Sequence, residues 1–296
     1  MPAKPYRFLL IQAFHLPSGS PYLHRRFEGP KEARLMNFDN VKHLFEDVDW
    51  ELDPGPLATY GDWPVESREE FCLVAAGRLP IVRAACESGK YDAVVLLGGG
   101  EPGFQESREI ARARNIPVTA CAHSQMHVAS MLGNRFSVID HAEIHNMYYR
   151  DLVVLHGFAD RCASIRNINF PLPRPGHAHV HNIQDEKAKA LRGERSAMLE
   201  AAVAEAVAAI EEDGAEVITF GCSATFWLRP FLQKRLNEIG WEVPVLEGYS
   251  CDHARQGARR AGAERERAHL PERSAAEMAP QEALVGCDEA RVRSQR

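Results

Sequence analysis

Twice along this 296-residue chain a short apolar strand runs into a turn of small residues and then into a helical pattern, and this recurrence constrains the fold most. The first instance is Tyr91–Leu97, followed by GGGEPGF (98–104) and a charged helix over Gln105–Arg114. The second is Glu216–Phe220, followed by GCSATFW (221–227) and a helical segment over Pro230–Ile239. Composition and alternation predict strands at Arg7–Gln12, Ala93–Leu97, Val118–Cys121, Arg135–Ile139, Val217–Gly221 and Val243–Leu246. Amphipathic stretches lie between them. The longest is Glu186–Glu212, where Leu191, Met198, Leu199, Val203, Val207 and Ile210 recur at helical spacing before Gly214 closes the helix. Strands alternating with helices predict an α/β fold: two Rossmann-like lobes of parallel sheet covered by helices. In such sheets ligands bind beyond the carboxyl ends of strands. Segments 98–104 and 221–227 are therefore expected to face each other across a cleft as two half-sites.

Composition narrows the function classes. With 45% hydrophobic residues the chain can bury a sizeable core. A net charge of −6 and a pI near 6.1 favour neither nucleic acid nor an anionic membrane as a partner. The N-terminal apolar run is broken by His15 and Pro17 and reads as a first strand rather than a secretory signal. No stretch approaches the roughly 18 apolar residues of a membrane span, so a cytoplasmic protein with a small-molecule partner is expected. The sequence leaves homo-oligomerisation open. Seven cysteines are scattered without a CxxC pair, which argues against a disulfide framework and a zinc knuckle. Residues 252–296 hold nine arginines, no lysine and no aromatic residue, and are expected to form a disordered tail. The abrupt change at 252 also reads like a shifted reading frame.

Four segments in register carry a family resemblance: YDAVVLLGGGEPGF (91–104), IPVTACAHSQMHVASMLGNRFSVID (116–140), RDLVVLHGFADRCASIRNINFPL (150–172) and GAEVITFGCSAT (214–225). Over about residues 6–251 the chain resembles the aspartate/glutamate/hydantoin racemase family, the hydantoin racemase branch most closely. That resemblance implies two pseudo-symmetric lobes: residues 1–120 plus 245–251, with Val243–Leu246 returning to the first lobe, and residues 121–244. It also implies catalysis without a cofactor, by two cysteines on opposite sides of a substrate carbon. Cys222 matches the second family cysteine, whereas Gly98 stands where the first is usual. His123 stands where a Glu is usual, and QAFHLPSGS (12–20) replaces an Asn-rich loop.

The residue types fit that chemistry. Moving a proton at a carbon next to a carbonyl needs a base and an acid, and a thiol, with an ordinary pKa of about 8.5, serves as either. Cys222 follows a strand in a turn of small residues whose N–H groups favour a thiolate. Gly98, Gly99 and Gly100 offer unhindered N–H groups to an anion. Gly98, Gly100 and Gly103 match a dinucleotide fingerprint only in spacing, because the Glu-Pro insertion spoils the helix start. Ser223 and Thr225 are candidate donors to substrate, or ordinary helix caps. Without a thiol at 98, His123 and Glu101 are the candidate second acid/base, with Cys121 and His123 expected to point alike from a strand end. The tract His177, His179 and His181 has no acidic or cysteine partner at helpful spacing, so no metal is expected. Leu97, Met126, Tyr148, Tyr149, Phe226 and Trp227 are candidates for an apolar wall. The leading expectation is a cofactor-independent racemase or isomerase acting α to a carbonyl, with Cys222 as acid/base. An arylmalonate-type decarboxylase using one thiol as proton donor, and a non-catalytic ligand-binding relative, are the alternatives.

Overall fold

A computed structural model describes residues 6–58, 62–176 and 182–251, all within one compact unit. Its strands are β1 (Tyr6–Ile11), β2 (Val48–Asp53), β3 (Ala93–Leu96), β4 (Val118–Ala120), β5 (Phe136–Asp140), β6 (Cys162–Asn167) and β7 (Val217–Phe220). Its helices are α1 (Lys31–Arg34), α2 (Phe38–Val41), α3 (Arg68–Ser88), α4 (Phe104–Arg112), α5 (Cys121–Leu132), α6 (Glu143–Leu155), α7 (Ile183–Leu191), α8 (Ala197–Glu211) and α9 (Arg229–Glu238). The strands form two parallel sheets, ordered β2-β1-β3-β4 and β6-β5-β7.

Alternation along β1 shows how the first sheet is covered on both faces. Phe8 and Leu10 enter one apolar cluster, while Leu9 and Ile11 enter another with Val82 of α3 and Phe104 and Ala111 of α4. The cluster around Phe8 and Leu10 also contains Ile139, Phe220 and Phe226, so residues from both sheets share one core. A capping box starts α3: the Ser67 side chain accepts from the Glu70 N–H, and Glu70 reaches back to the Ser67 N–H.

Several sequence expectations need correction. Val243–Leu246 does not return to the first sheet. Val245 pairs in parallel with Ile218 of β7, and the Leu246 N–H donates to the Ile218 carbonyl at 2.8 Å. The chain leaving α9 turns at Gly240 and meets the free edge of β7, so the short crossover closes locally. The helix expected over Glu186–Glu212 is two helices, because Gly193 adopts φ +73° and Ser196 caps α8 afresh. Strands β2 and β6 were not expected, and Cys162 opens β6. His123 lies in the first turn of α5 rather than at a strand end, so strand alternation does not govern it. The tail at 252–296 and the tract at His177, His179 and His181 lie outside the described residues. Among the described residues, no helix is long and apolar enough to cross a membrane.

Candidate active site

The two small-residue turns meet backbone to backbone. A Cβ on Gly99 would fall 1.6 Å from the Gly221 carbonyl oxygen and 2.9 Å from the Cys222 Cα, so only glycine permits this approach. Arg78, fully buried in α3, clamps the first turn. Its guanidinium donates to the carbonyls of Ile11 (3.0 Å), Leu97 (2.5 Å) and Pro102 (3.0 Å), joining the carboxyl ends of β1 and β3 to the loop between β3 and α4. Burial pulls its pKa down to about 10.

Cys222 caps the turn Ser223–Leu228, its sulfur accepting the Ala224 N–H at 3.5 Å. The Thr225 hydroxyl donates to the Cys222 carbonyl at 2.6 Å, so it serves the turn. The Ser223 side chain lies within electrostatic reach of the Tyr249 phenol. The histidine within electrostatic reach of the Cys222 thiol is His141. His141 Nδ1 lies 3.0 Å from Asp140 Oδ1, and His145 Nδ1 lies 2.6 Å from Asp140 Oδ2. The other ring nitrogen of His141 is 3.4 Å from Glu66 Oε1, and Glu66 in turn pairs with Arg174 at 3.1 Å. Asp140, His141, His145 and Glu66 are all buried.

The electrostatics follow from this chain of contacts. Burial opposes a charged His141, but Cys222, Asp140 and Glu66 outweigh it and hold the imidazole well above its ordinary 6.5. Burial likewise opposes ionisation of Asp140, and the two imidazoles overcome it, keeping the carboxyl well below its usual range. Glu66 is also lowered despite its burial, by His141 and Arg174. The arrangement is an imidazole held between two carboxylates within electrostatic reach of a thiol. Among the described residues, Asp140, His141 and His145 are the group that could hold a metal ion, with ligand atoms within 4.8 Å of one another. Both Asp140 oxygens already meet an imidazole nitrogen, which completes the group as a hydrogen-bonded relay.

The structure brings Glu101 and His123 together in a second cluster. Glu101 accepts the His123 N–H at 2.9 Å and is bonded to the His156 ring, while His123 Nε2 lies 3.1 Å from His127 Nε2. Gly98 adopts φ +102°, and a Cβ there would lie 2.8 Å from the Ala13 Cβ. Gly98→Cys is expected to lower stability by about 1–3 kcal/mol through that strain and overlap. Ala13→Gly in the same chain should recover part of the loss, and urea unfolding of both variants checks this.

Sequence reasoning missed Glu66, Asp140, His141 and His145. The strand-end logic applied after β3 and β7 applies equally after β5, where DHAEIH (140–145) places a carboxylate and two imidazoles at the sheet's carboxyl edge. Cys121 is fully buried, with its sulfur 3.8 Å from the Leu96 carbonyl, as a core residue would be.

The Asp/Glu/Hydantoin racemase family model matches residues 66–252. A hydantoin racemase from Pseudomonas sp. (strain NS671) is 30% identical over 191 residues, 64% of this chain and 66% of that protein, just under two thirds of its length. The structure of an allantoin racemase from Klebsiella pneumoniae is similar at a TM-score of 0.61 and 22% identity, covering 91% of this chain and 95% of that one. The structure of a glycine-to-cysteine mutant of arylmalonate decarboxylase is similar at a TM-score of 0.50 and 14% identity, covering 86% and 93%.

Proposed function

Because the chain belongs to the Asp/Glu/hydantoin racemase family, we propose that it is a cofactor-independent racemase or isomerase acting on a small molecule at a carbon α to a carbonyl, with Cys222 moving the proton. One observation supports this most: the Cys222 sulfur caps a turn pressed against Gly99 while His141, held by Asp140, lies within electrostatic reach of the thiol. A charged His141 beside the sulfur is the electrostatic partner a thiolate base needs. As the proton leaves the substrate carbon, the N–H groups around the glycine turn stabilise the charge developing on the carbonyl oxygen. Gly98 carries no acid, so the opposite face is served by His123, oriented by Glu101 and backed by His127 and His156.

Hydantoins, amino acids and arylmalonates incubated in D₂O and resolved by chiral chromatography test this reading. Deuterium exchange with racemisation of at least one compound is expected. His123→Gln should keep exchange but slow inversion by at least about tenfold, since only the return of the proton to the second face is lost. Equal inversion by the variant removes His123 from the mechanism. A second reading rests on Gly98: at φ +102°, where a side chain would be strained and its Cβ would crowd Ala13, the first half-site is not shaped for a second thiol. Decarboxylation of a malonate-like acid needs one proton donor, and a single deuterated enantiomer released with CO₂ would select it.

A further inference from the structure

The outer side of α6 is apolar where a surface helix is ordinarily polar. Glu143, Met147, Arg150 and Val154 follow one another at steps of four, three and four residues, which puts them on one face of the helix. Met147 and Val154 are 55% and 62% exposed, and Ile144 and Leu155, on the flank of that face, are 49% and 60% exposed. Four large apolar side chains gathered on one helix mark a contact surface, unlike the single apolar residues scattered over any protein. Between this face and β6 runs a groove of about 440 Å³, lined from the helix by Met147, Val153 and Val154 and from the strand by Cys162, Ala163 and Ile165. Strand β6 is an edge of its sheet, and all six of its residues are half-buried, whereas those of β5 beside it are fully buried. An open sheet edge beside an apolar helix face is a liability that a bound partner removes.

The polar groups of the same surface say what fits it. Glu143 and Arg150 both line the groove, and neither forms an ion pair with another described residue. The Oδ1 atom of Asn146, between them on the groove side, is buried without a hydrogen-bond partner among the described residues. Acid and base lie seven residues apart, about 10.5 Å along the helix. The point midway between them falls between Asn146 and Met147. A two-fold axis through that point, across the helix, lays α6 antiparallel to a copy of itself. It then sets Glu143 of each copy opposite Arg150 of the other, and brings the two Asn146 amides together. Such self-complementarity is what an isologous interface requires, and a partner of unrelated sequence has no need of it.

We propose that a second copy of this chain docks on the outer face of α6, the two helices antiparallel about a two-fold axis. Met147 and Val154 of each copy enter the groove between α6 and β6 of the other, and Glu143 pairs with Arg150 in both directions. The opposite side of α6 carries His145 on Asp140, so the docked copy braces the helix that runs out of the candidate site. The interface itself is independent of the role of Cys222.

Light scattering from the purified full-length protein at micromolar concentration tests this. A mass at least twice the 33.1 kDa of one chain is expected. Met147→Asp should weaken association at least about tenfold, because it sets two carboxylates against each other at the axis. Glu143→Arg and Arg150→Glu should each weaken it as well, by facing like charges in both pairs. The double variant carrying both exchanges should recover the parent's mass, since opposite charges meet again. All three positions are exposed, so unfolding midpoints should stay near that of the parent, and circular dichroism checks that each variant is folded. If Met147→Asp does not fold, the charge exchange carries the same test. A parent that is monomeric at micromolar concentration, an assembly whose mass no single variant changes, or a double variant as dissociated as the single ones each overturns the inference. An assembly larger than a dimer that Met147→Asp breaks into smaller units supports it.

Discussion

Cys222→Ser is expected to lower kcat by at least about a hundredfold with little change in unfolding midpoint, because a positioned proton-transfer group contributes about 10²–10⁴-fold to rate. The substitution keeps the shape of the turn, since a serine oxygen can still accept the Ala224 N–H that caps it. What it removes is a group whose proton affinity suits both halves of the reaction. Both exchange and inversion should fall together, which separates this variant from His123→Gln. Alkylation provides a second readout. Cys222 is partly exposed whereas Cys86, Cys121 and Cys251 are buried, so iodoacetamide should reach it ahead of those thiols, and substrate should slow the modification. Turnover by the serine variant near that of the parent would sink the assignment.

Asp140→Asn should cost about 3–5 kcal/mol of stability at neutral pH, because it strips the charge that two buried imidazoles share. The pH dependence has a definite sign. The depressed Asp140 carboxyl contributes stability above its ordinary pKa of 3.8, and this is lost as pH falls from there towards its lowered folded value. The raised His141 contributes fully below its ordinary 6.5, and this is lost as pH rises through its higher folded value. The parent protein should therefore be most stable between those limits. The gap between parent and Asp140→Asn should narrow below pH 3.8, and chemical unfolding at a series of pH values measures both. A gap independent of pH would mean that Asp140 acts by packing rather than by charge. Activity should fall as well, since an amide at 140 no longer holds His141 charged beside the thiol.

The legible part of the site was the part written in contiguous residues. GCSAT (221–225) and GGGEPG (98–103) announce themselves because each compresses a strand end, a turn and a helix start into one short segment. Glu101 and His123 were legible as chemistry, though not as neighbours. Their contact depends on the first turn of α5 standing beside the loop between β3 and α4. Asp140 and His141 belong to a third strand end that carries no glycine, and so no visible turn signal. Glu66 is 75 residues distant from His141.

The sequence by itself determined the α/β class, the parallel strands β1, β3, β4, β5 and β7, and a cysteine placed in the turn after β7. Those features are local: apolar alternation, small residues after strands and a thiol in one of those turns are properties of adjacent residues. Only the tertiary structure decided that Val245 joins β7 and that His141 rather than His123 lies within electrostatic reach of Cys222. Each of these depends on distances between segments far apart in the chain. Such distances are set by sheet order and helix packing, which local propensity does not encode.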